Sequence, residues 1–133
     1  MSGPPRILIV DDEAEVVGSL KEILGRYGYE VLTALNGMDA VDLARAHMPN
    51  LILLDLMLPT LDGYRVLKLL KSDERYRDIP VVVITARADA QDWALALECG
   101  ADACLTKPVN LEMLLQRVQA YVRTGKTDET RTS

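Results

Sequence analysis

Five short runs of β-forming, largely apolar residues recur along this chain, and a segment of helical period follows each one. That alternation leaves few folds open. The runs are RILIV (Arg6 to Val10), EVLTAL (Glu30 to Leu35), LILLD (Leu51 to Asp55), VVVIT (Val81 to Thr85) and ACLT (Ala103 to Thr106). Three of them are nearly continuous apolar stretches, as expected of strands covered on both faces. Between them, apolar residues return every three or four positions: Val17, Leu20, Ile23, Leu24 and Tyr27; then Val41 and Ala44; then Val66, Leu67 and Leu70; then Trp93, Ala94 and Leu97. A fifth stripe follows the last strand at Leu111, Leu114, Leu115, Val118 and Val122. Each makes one apolar face. Strict βα alternation of this kind predicts an α/β, doubly wound, five-stranded parallel sheet with five helices on its two faces.

The punctuation agrees. Gly28 and Gly100 stand where helix ends take a left-handed residue, and Asn36, Asp62 and Asn110 stand where N-caps belong. Val109 and Leu114 flank the Asn110 cap at the spacing of a hydrophobic staple. With 133 residues, 49% of them apolar, the chain suits one domain with a sizeable core. Its expected limits are residues 6–123, preceded by a short tail over 1–5. The polar, aperiodic 124–133 reads as a free end or a linker stub.

Composition excludes several classes of work. The net charge is −5 and no dense run of Lys or Arg occurs, which argues against nucleic acid as a direct partner. Cys99 and Cys104 lack Cys-x-x-Cys spacing, and the single histidine, His47, is remote from both, so neither a metal signature nor a disulfide framework is expected. The opening MSGPPR has no apolar core of a signal peptide, and no window is long enough to span a bilayer. A cytoplasmic protein with no membrane partner is the expectation.

Within this frame the charged residues at strand ends stand out. In a parallel sheet all strands end on one side, and ligands collect beyond those carboxyl ends. Asp11 and Asp12 follow the first strand, and Asp55 ends an otherwise apolar third strand, where an unpaired carboxylate would be expensive. If the first and third strands are neighbours, three like charges converge, and a hard divalent cation such as Mg²⁺ would relieve them. The Asp11–Asp12 pair alone reads equally well as a helix cap. Thr85 at the end of the fourth strand and Lys107 at the end of the fifth add a hydroxyl and an ammonium, a set suited to a phosphoryl group.

Asp11 and Asp12 after strand one, Asp55 within LDLMLPTLDG, Thr85–Ala86 and Lys107–Pro108 together resemble the signature of the receiver domains of two-component response regulators, over roughly residues 6 to 123. The resemblance implies the strand order 2-1-3-4-5. It also implies that Asp55 is the phosphoacceptor for a sensor histidine kinase or phosphotransfer protein. Asp12, Asp11, Asp55 and the carbonyl of Met57 would be the ligands of Mg²⁺, and Lys107 the partner of the phosphoryl oxygens. Thr85 would move toward the phosphoryl, while the Ala86 and Met57 amides donate to it. In the family the peptide before Pro108 is cis. The output implied is a conformational change on the face built from the last two helices, read by a downstream protein or a missing output domain. A phosphorylation-dependent dimer through those helices is a further association of the same kind. Such a domain is a signalling module, not an enzyme in its own right, although it assists its own phosphorylation and dephosphorylation.

Departures accompany the matches. By the resemblance, Met57 and Arg87 would flank the path of an attacking water; Val109 stands where Phe is frequent in the family, and Cys104 where relatives usually carry Tyr or Phe. Two other classes fit less well. A phosphatase of the haloacid-dehalogenase type would place Asp-x-Asp after strand one, whereas VDDE has adjacent aspartates. A flavodoxin-like nucleotide module would want a Ser/Thr/Gly-rich phosphate loop where DDEAE stands.

Overall fold

The structure is a computed structural model that describes residues 3–86 and 89–124. Its strands and helices alternate along the chain: β1 (Arg6–Val10), α1 (Ala14–Arg26), β2 (Glu30–Ala34), α2 (Gly37–His47), β3 (Leu51–Leu54), α3 (Gly63–Lys71), β4 (Val81–Thr85), α4 (Ala90–Glu98), β5 (Ala103–Thr106) and α5 (Leu111–Thr124). All pairings are parallel, and the sheet order is β2-β1-β3-β4-β5. The chain therefore reverses its direction of winding after β2, which makes β1 and β3 neighbours.

Side-chain alternation along the strands divides the core in two. Leu8, Val10, Ile52, Leu54, Val81 and Val83 pack on one face with Val41 and Ala44 of α2, Val66, Leu67 and Leu70 of α3, and Ala96 of α4. Ile7, Ile9, Leu51, Leu53, Val82 and Ile84 pack on the other with Val17, Leu20 and Leu24 of α1 and Leu114 and Val118 of α5. The central strands β1, β3 and β4 are buried on both faces, which is why their sequences show almost no polar alternation, whereas the edge strand β2 is partly exposed.

The caps lie where the residue types place them. Asn36 accepts from the Asp39 amide, Asp62 from Arg65 and Asn110 from Met113, while Gly28 and Gly100 take positive φ. Val109 and Leu114 both pack into the α1/α5 side of the core. Five expectations shift, the first being Leu111 of the last apolar stripe, which begins α5 and is exposed. Leu35 falls beyond the end of β2 and is exposed, and Asp55 lies one residue past β3. Tyr27 is the C-cap of α1 and points to solvent, because the helix ends before it. In α4, Ala96 is buried while Ala94 and Leu97 are exposed. Its central run from Trp93 to Leu97 is apolar on every side, so periodicity there does not select a face, and the small Ala96 is the buried residue. Among the described residues, no helix is long and apolar enough to cross a membrane.

Candidate functional site

The register of β1 against β3 pairs Val10 with Leu54, so Asp11 and Asp55 occupy the next rung beyond the ladder. The Asp11 amide donates to Ala34 O at 3.1 Å and the Asp55 amide to Val10 O at 3.0 Å. The backbones of both aspartates are thus anchored to neighbouring strands, although neither residue belongs to one. Asp11 and Asp55 are buried and Asp12 is exposed, and one carboxylate oxygen from each of the three lies within 4.8 Å of the others.

Each buried carboxylate divides its oxygens between two kinds of donor. Asp11 Oδ1 accepts from the Glu13 amide at 2.9 Å, and Asp55 Oδ1 accepts from the Met57 amide at 3.0 Å. The second oxygens both face the ammonium of Lys107, 2.7 Å from Asp11 Oδ2 and 2.8 Å from Asp55 Oδ2. The cap of α1 is Glu13, which makes no side-chain cap hydrogen bond. Asp11 therefore closes a turn over the Glu13 amide, one residue ahead of the helix cap.

Lys107 follows β5, and its amide donates to Thr85 O at 2.9 Å, so the end of β4 sets where its side chain begins. The peptide between Lys107 and Pro108 is cis. Burial alone would lower the lysine pKa. The hydrogen bonds to Asp11 and then Asp55 outweigh that cost and hold the ammonium above the ordinary lysine range. Lys107 is a permanent cation at neutral pH. Thr85, the last residue of β4, is fully buried, and Ala86 beside it is exposed. Arg87 lies outside the described residues.

Close packing under Asp55 fixes its loop. A Cβ on Gly63 would fall 2.6 Å from both Asp55 O and Leu56 Cα, and the Gly63 amide donates to Leu56 O at 3.0 Å. Only glycine lets the start of α3 press this closely on the segment carrying Asp55. On the other side of the rim, Cys104 is half-buried, and burial pushes its thiol pKa up. A cleft of about 280 Å³ lies beside it, lined by Trp93, Leu105, Pro108 and Met113 among others. The small side chain leaves space between α4 and α5.

The structure brings Asp11, Asp12, Asp55 and Lys107 together, with Thr85 and Ala86 at the adjoining strand end. It adds one residue the sequence did not single out: Glu13 Oε1 stands 3.2 Å from the same ammonium. The only sequence signal for it was the third acid of the DDE run. Three carboxylates thus meet one cation, with the Asp12 carboxylate beside Asp11 and Asp55, a surplus of negative charge made of hard oxygen donors. The Asp11, Asp12 and Asp55 oxygens fit a small divalent cation that takes carboxylate and water ligands.

Comparison with known proteins agrees with this geometry. The family model described as the response regulator receiver domain matches residues 7–119. The DNA-binding dual master transcriptional regulator RpaA of Synechocystis sp. is 44% identical over 119 residues, which make up 90% of this chain and 49% of that protein. The chain spans about half the length of the curated relatives it matches. A CheY-like response regulator receiver domain protein from Methanospirillum hungatei superposes with a TM-score of 0.84 at 30% identity, over 91% of this chain and 95% of that one. The receiver domain of a sensor histidine kinase from Pseudomonas aeruginosa, solved with magnesium coordinated in its active-site cleft, gives 0.83 at 29% identity over 90% and 98%. With the sheet order, the rim and the family match in agreement, this chain belongs to the receiver domain family of two-component response regulators.

Proposed function

We propose that this domain, residues 6–123, takes a phosphoryl group onto Asp55 from the phosphohistidine of a sensor kinase or phosphotransfer protein, and that its altered conformation controls a partner. The observation that carries the reading is the placement of Asp55, a buried carboxylate with one oxygen on the Met57 amide and the other on Lys107. Transfer to a carboxylate sets anion against anion, so its rate depends on positioning and on cations at the phosphoryl oxygens.

Each residue has a role in that step. Asp55 attacks phosphorus through its carboxylate oxygen. Lys107 neutralises charge on the incoming oxygens, and the Met57 and Ala86 amides donate to them. Thr85 moves from its buried position toward the phosphoryl and draws its loop with it. Asp12, Asp11, Asp55 and the carbonyl of Met57 would hold Mg²⁺, which when bound supplies the further positive charge the transfer needs. The magnesium in the cleft of the Pseudomonas aeruginosa receiver supports that assignment.

The product adds about two negative charges and three strong acceptors at the rim. With Cys104 in place of a ring, the change reaches the surface through the loop after β4 and through α4, which carries Trp93. Tyr64 links that helix to the start of α3, since its hydroxyl lies 3.2 Å from Asp92 Oδ1 at the start of α4. The partners are a downstream protein or an output domain of a longer regulator, or a second copy docked through α4 and α5. The setting is cytoplasmic, with neither direct nucleic-acid contact nor catalytic turnover of an external substrate.

Incubation with a small acyl phosphate and Mg²⁺, followed by intact mass, tests the reading. Wild type gains one hydroxylamine-labile phosphoryl group, while Asp55→Asn stays folded and gains none. A phosphoryl adduct on Asp55→Asn would move the acceptor elsewhere.

A further inference from the structure

We propose that Glu13 is a positioning residue for phosphoryl transfer: its carboxylate engages the Lys107 ammonium between reactions and must release it before Lys107 can receive a phosphoryl oxygen, which slows transfer. The inference rests on the reading of Asp55 as acceptor and adds a partner to it.

An ammonium has three protons to donate. Those of Lys107 face three carboxylates, Asp11 Oδ2 at 2.7 Å, Asp55 Oδ2 at 2.8 Å and Glu13 Oε1 at 3.2 Å. A phosphoryl oxygen can join only by replacing one of them. Asp11 and Asp55 are buried and make the shorter contacts, whereas the Glu13 side chain is 62% exposed and makes the longest. Glu13 is therefore the partner that leaves. Its backbone does not need to move: the amide is held by Asp11 Oδ1 and the carbonyl accepts from Val17 at 3.1 Å. Only the side chain swings, into solvent that hydrates it well.

The covalent step balances without a proton. With acetyl phosphate as donor, the Asp55 oxygen bonds to phosphorus while the bond from phosphorus to the acetyl oxygen breaks and acetate leaves as a carboxylate; with a phosphohistidine the phosphorus–nitrogen bond breaks instead, and the imidazole leaves neutral when its other ring nitrogen already carries a proton. In the same step Lys107 exchanges a Glu13 oxygen for a phosphoryl oxygen. An exposed pair of this kind is weak, so its removal speeds transfer only modestly, by about three- to fivefold.

The test uses Glu13→Gln, Glu13→Asp and, as a control of equal charge change, Glu15→Gln, an exposed acid in the first turn of α1. Phosphorylation by acetyl phosphate is timed at saturating Mg²⁺ and fixed ionic strength. In parallel, hydrogen exchange of the Lys107 ammonium is followed by NMR in metal-free protein. Glu13→Asp keeps the charge but is one methylene too short to reach from a pinned backbone. Both Glu13 variants are expected to react about three- to fivefold faster than wild type and to exchange the ammonium protons faster, with Glu15→Gln unchanged in both. Wild-type behaviour of Glu13→Asp alone would reduce the effect to net charge and overturn the proposal. Wild-type or slower transfer in both Glu13 variants would overturn it outright. A wild type that takes no phosphoryl group would overturn the Asp55 reading and this inference together, a result distinct from the other two.

Discussion

Two poorly exposed lysines sit at opposite ends of this sheet, and they are held in different ways. At the amino ends of the strands, Lys71 donates to Arg77 O at 3.0 Å and Ile79 O at 2.6 Å and lies 3.4 Å from Asp102 Oδ2. The same Asp102 oxygen accepts from the Val81 amide, and the Asp102 carbonyl accepts from the Tyr121 hydroxyl. The ammonium lies against an anion and two carbonyls, and the cluster ties α3, α5 and the starts of β4 and β5 together. At the carboxyl ends, Lys107 is set against Asp11, Asp55 and Glu13, with Asp12 close by. A buried lysine is therefore no mark of function in itself. The surplus of negative charge around one of them is, because only that end still calls for a cation.

The largest expected effect comes from breaking the closed end. Lys71→Ala removes the ammonium beside Asp102 and the donor to the Arg77 and Ile79 carbonyls, and is expected to cost about 3 kcal/mol in chemical denaturation, with no recovery on adding Mg²⁺. Recovery there would erase the distinction between the two ends. Next in size, Mg²⁺ at about a hundred times its dissociation constant is expected to raise wild-type stability by about 2.7 kcal/mol, and Asp12→Asn to weaken that response. An unchanged thermal midpoint in Mg²⁺ would remove the metal from the account.

Lys107→Ala, which leaves Asp11 and Asp55 facing one another, is expected to cost about 2 kcal/mol without divalent cations and little with them. Its pH dependence follows from the sign of the lysine shift. A pKa raised on folding contributes stability that is fully present below the ordinary lysine value and is lost as pH rises through the folded value. The difference between wild type and Lys107→Ala is then expected to stay flat from neutrality to about pH 10 and to shrink above it. Urea titrations across that range check it. The smallest effect is at Cys104, whose raised thiol pKa predicts slower alkylation at neutral pH than an unburied cysteine, measured by mass.

Much of this was legible in the sequence because strands buried on both faces and residues at strand ends leave local marks. The runs RILIV, VVVIT and ACLT coincide with β1, β4 and β5, and Asp11, Asp55 and Lys107 converge because each lies at or just past a strand end in one parallel sheet. The misses share a cause: the deciding contact is not local. The exposed faces of Ala94 and Leu97 depend on where α4 meets the sheet, and the unbroken apolar run from Trp93 to Leu97 carries no phase. Glu13 and Lys107 are 94 residues apart, so their pairing has no spacing to reveal it. Lys71 reads locally as a basic residue closing a helix, a favourable placement in itself. Its seat on the Arg77 and Ile79 carbonyls is set by the turn that follows.

The difference between the two ends can be read in a single experiment, an amide NMR titration of metal-free protein with Mg²⁺ and then with beryllofluoride as a phosphoryl mimic. The account predicts that Mg²⁺ shifts the amides of Asp11, Asp12, Glu13, Asp55 and Met57. The mimic should then extend the changes to Thr85, Ala86, Lys107 and α4, including Trp93, while Lys71 and Asp102 stay where they were. Saturating Mg²⁺ with no shift at the rim, or shifts largest around Lys71 and Asp102, would contradict it.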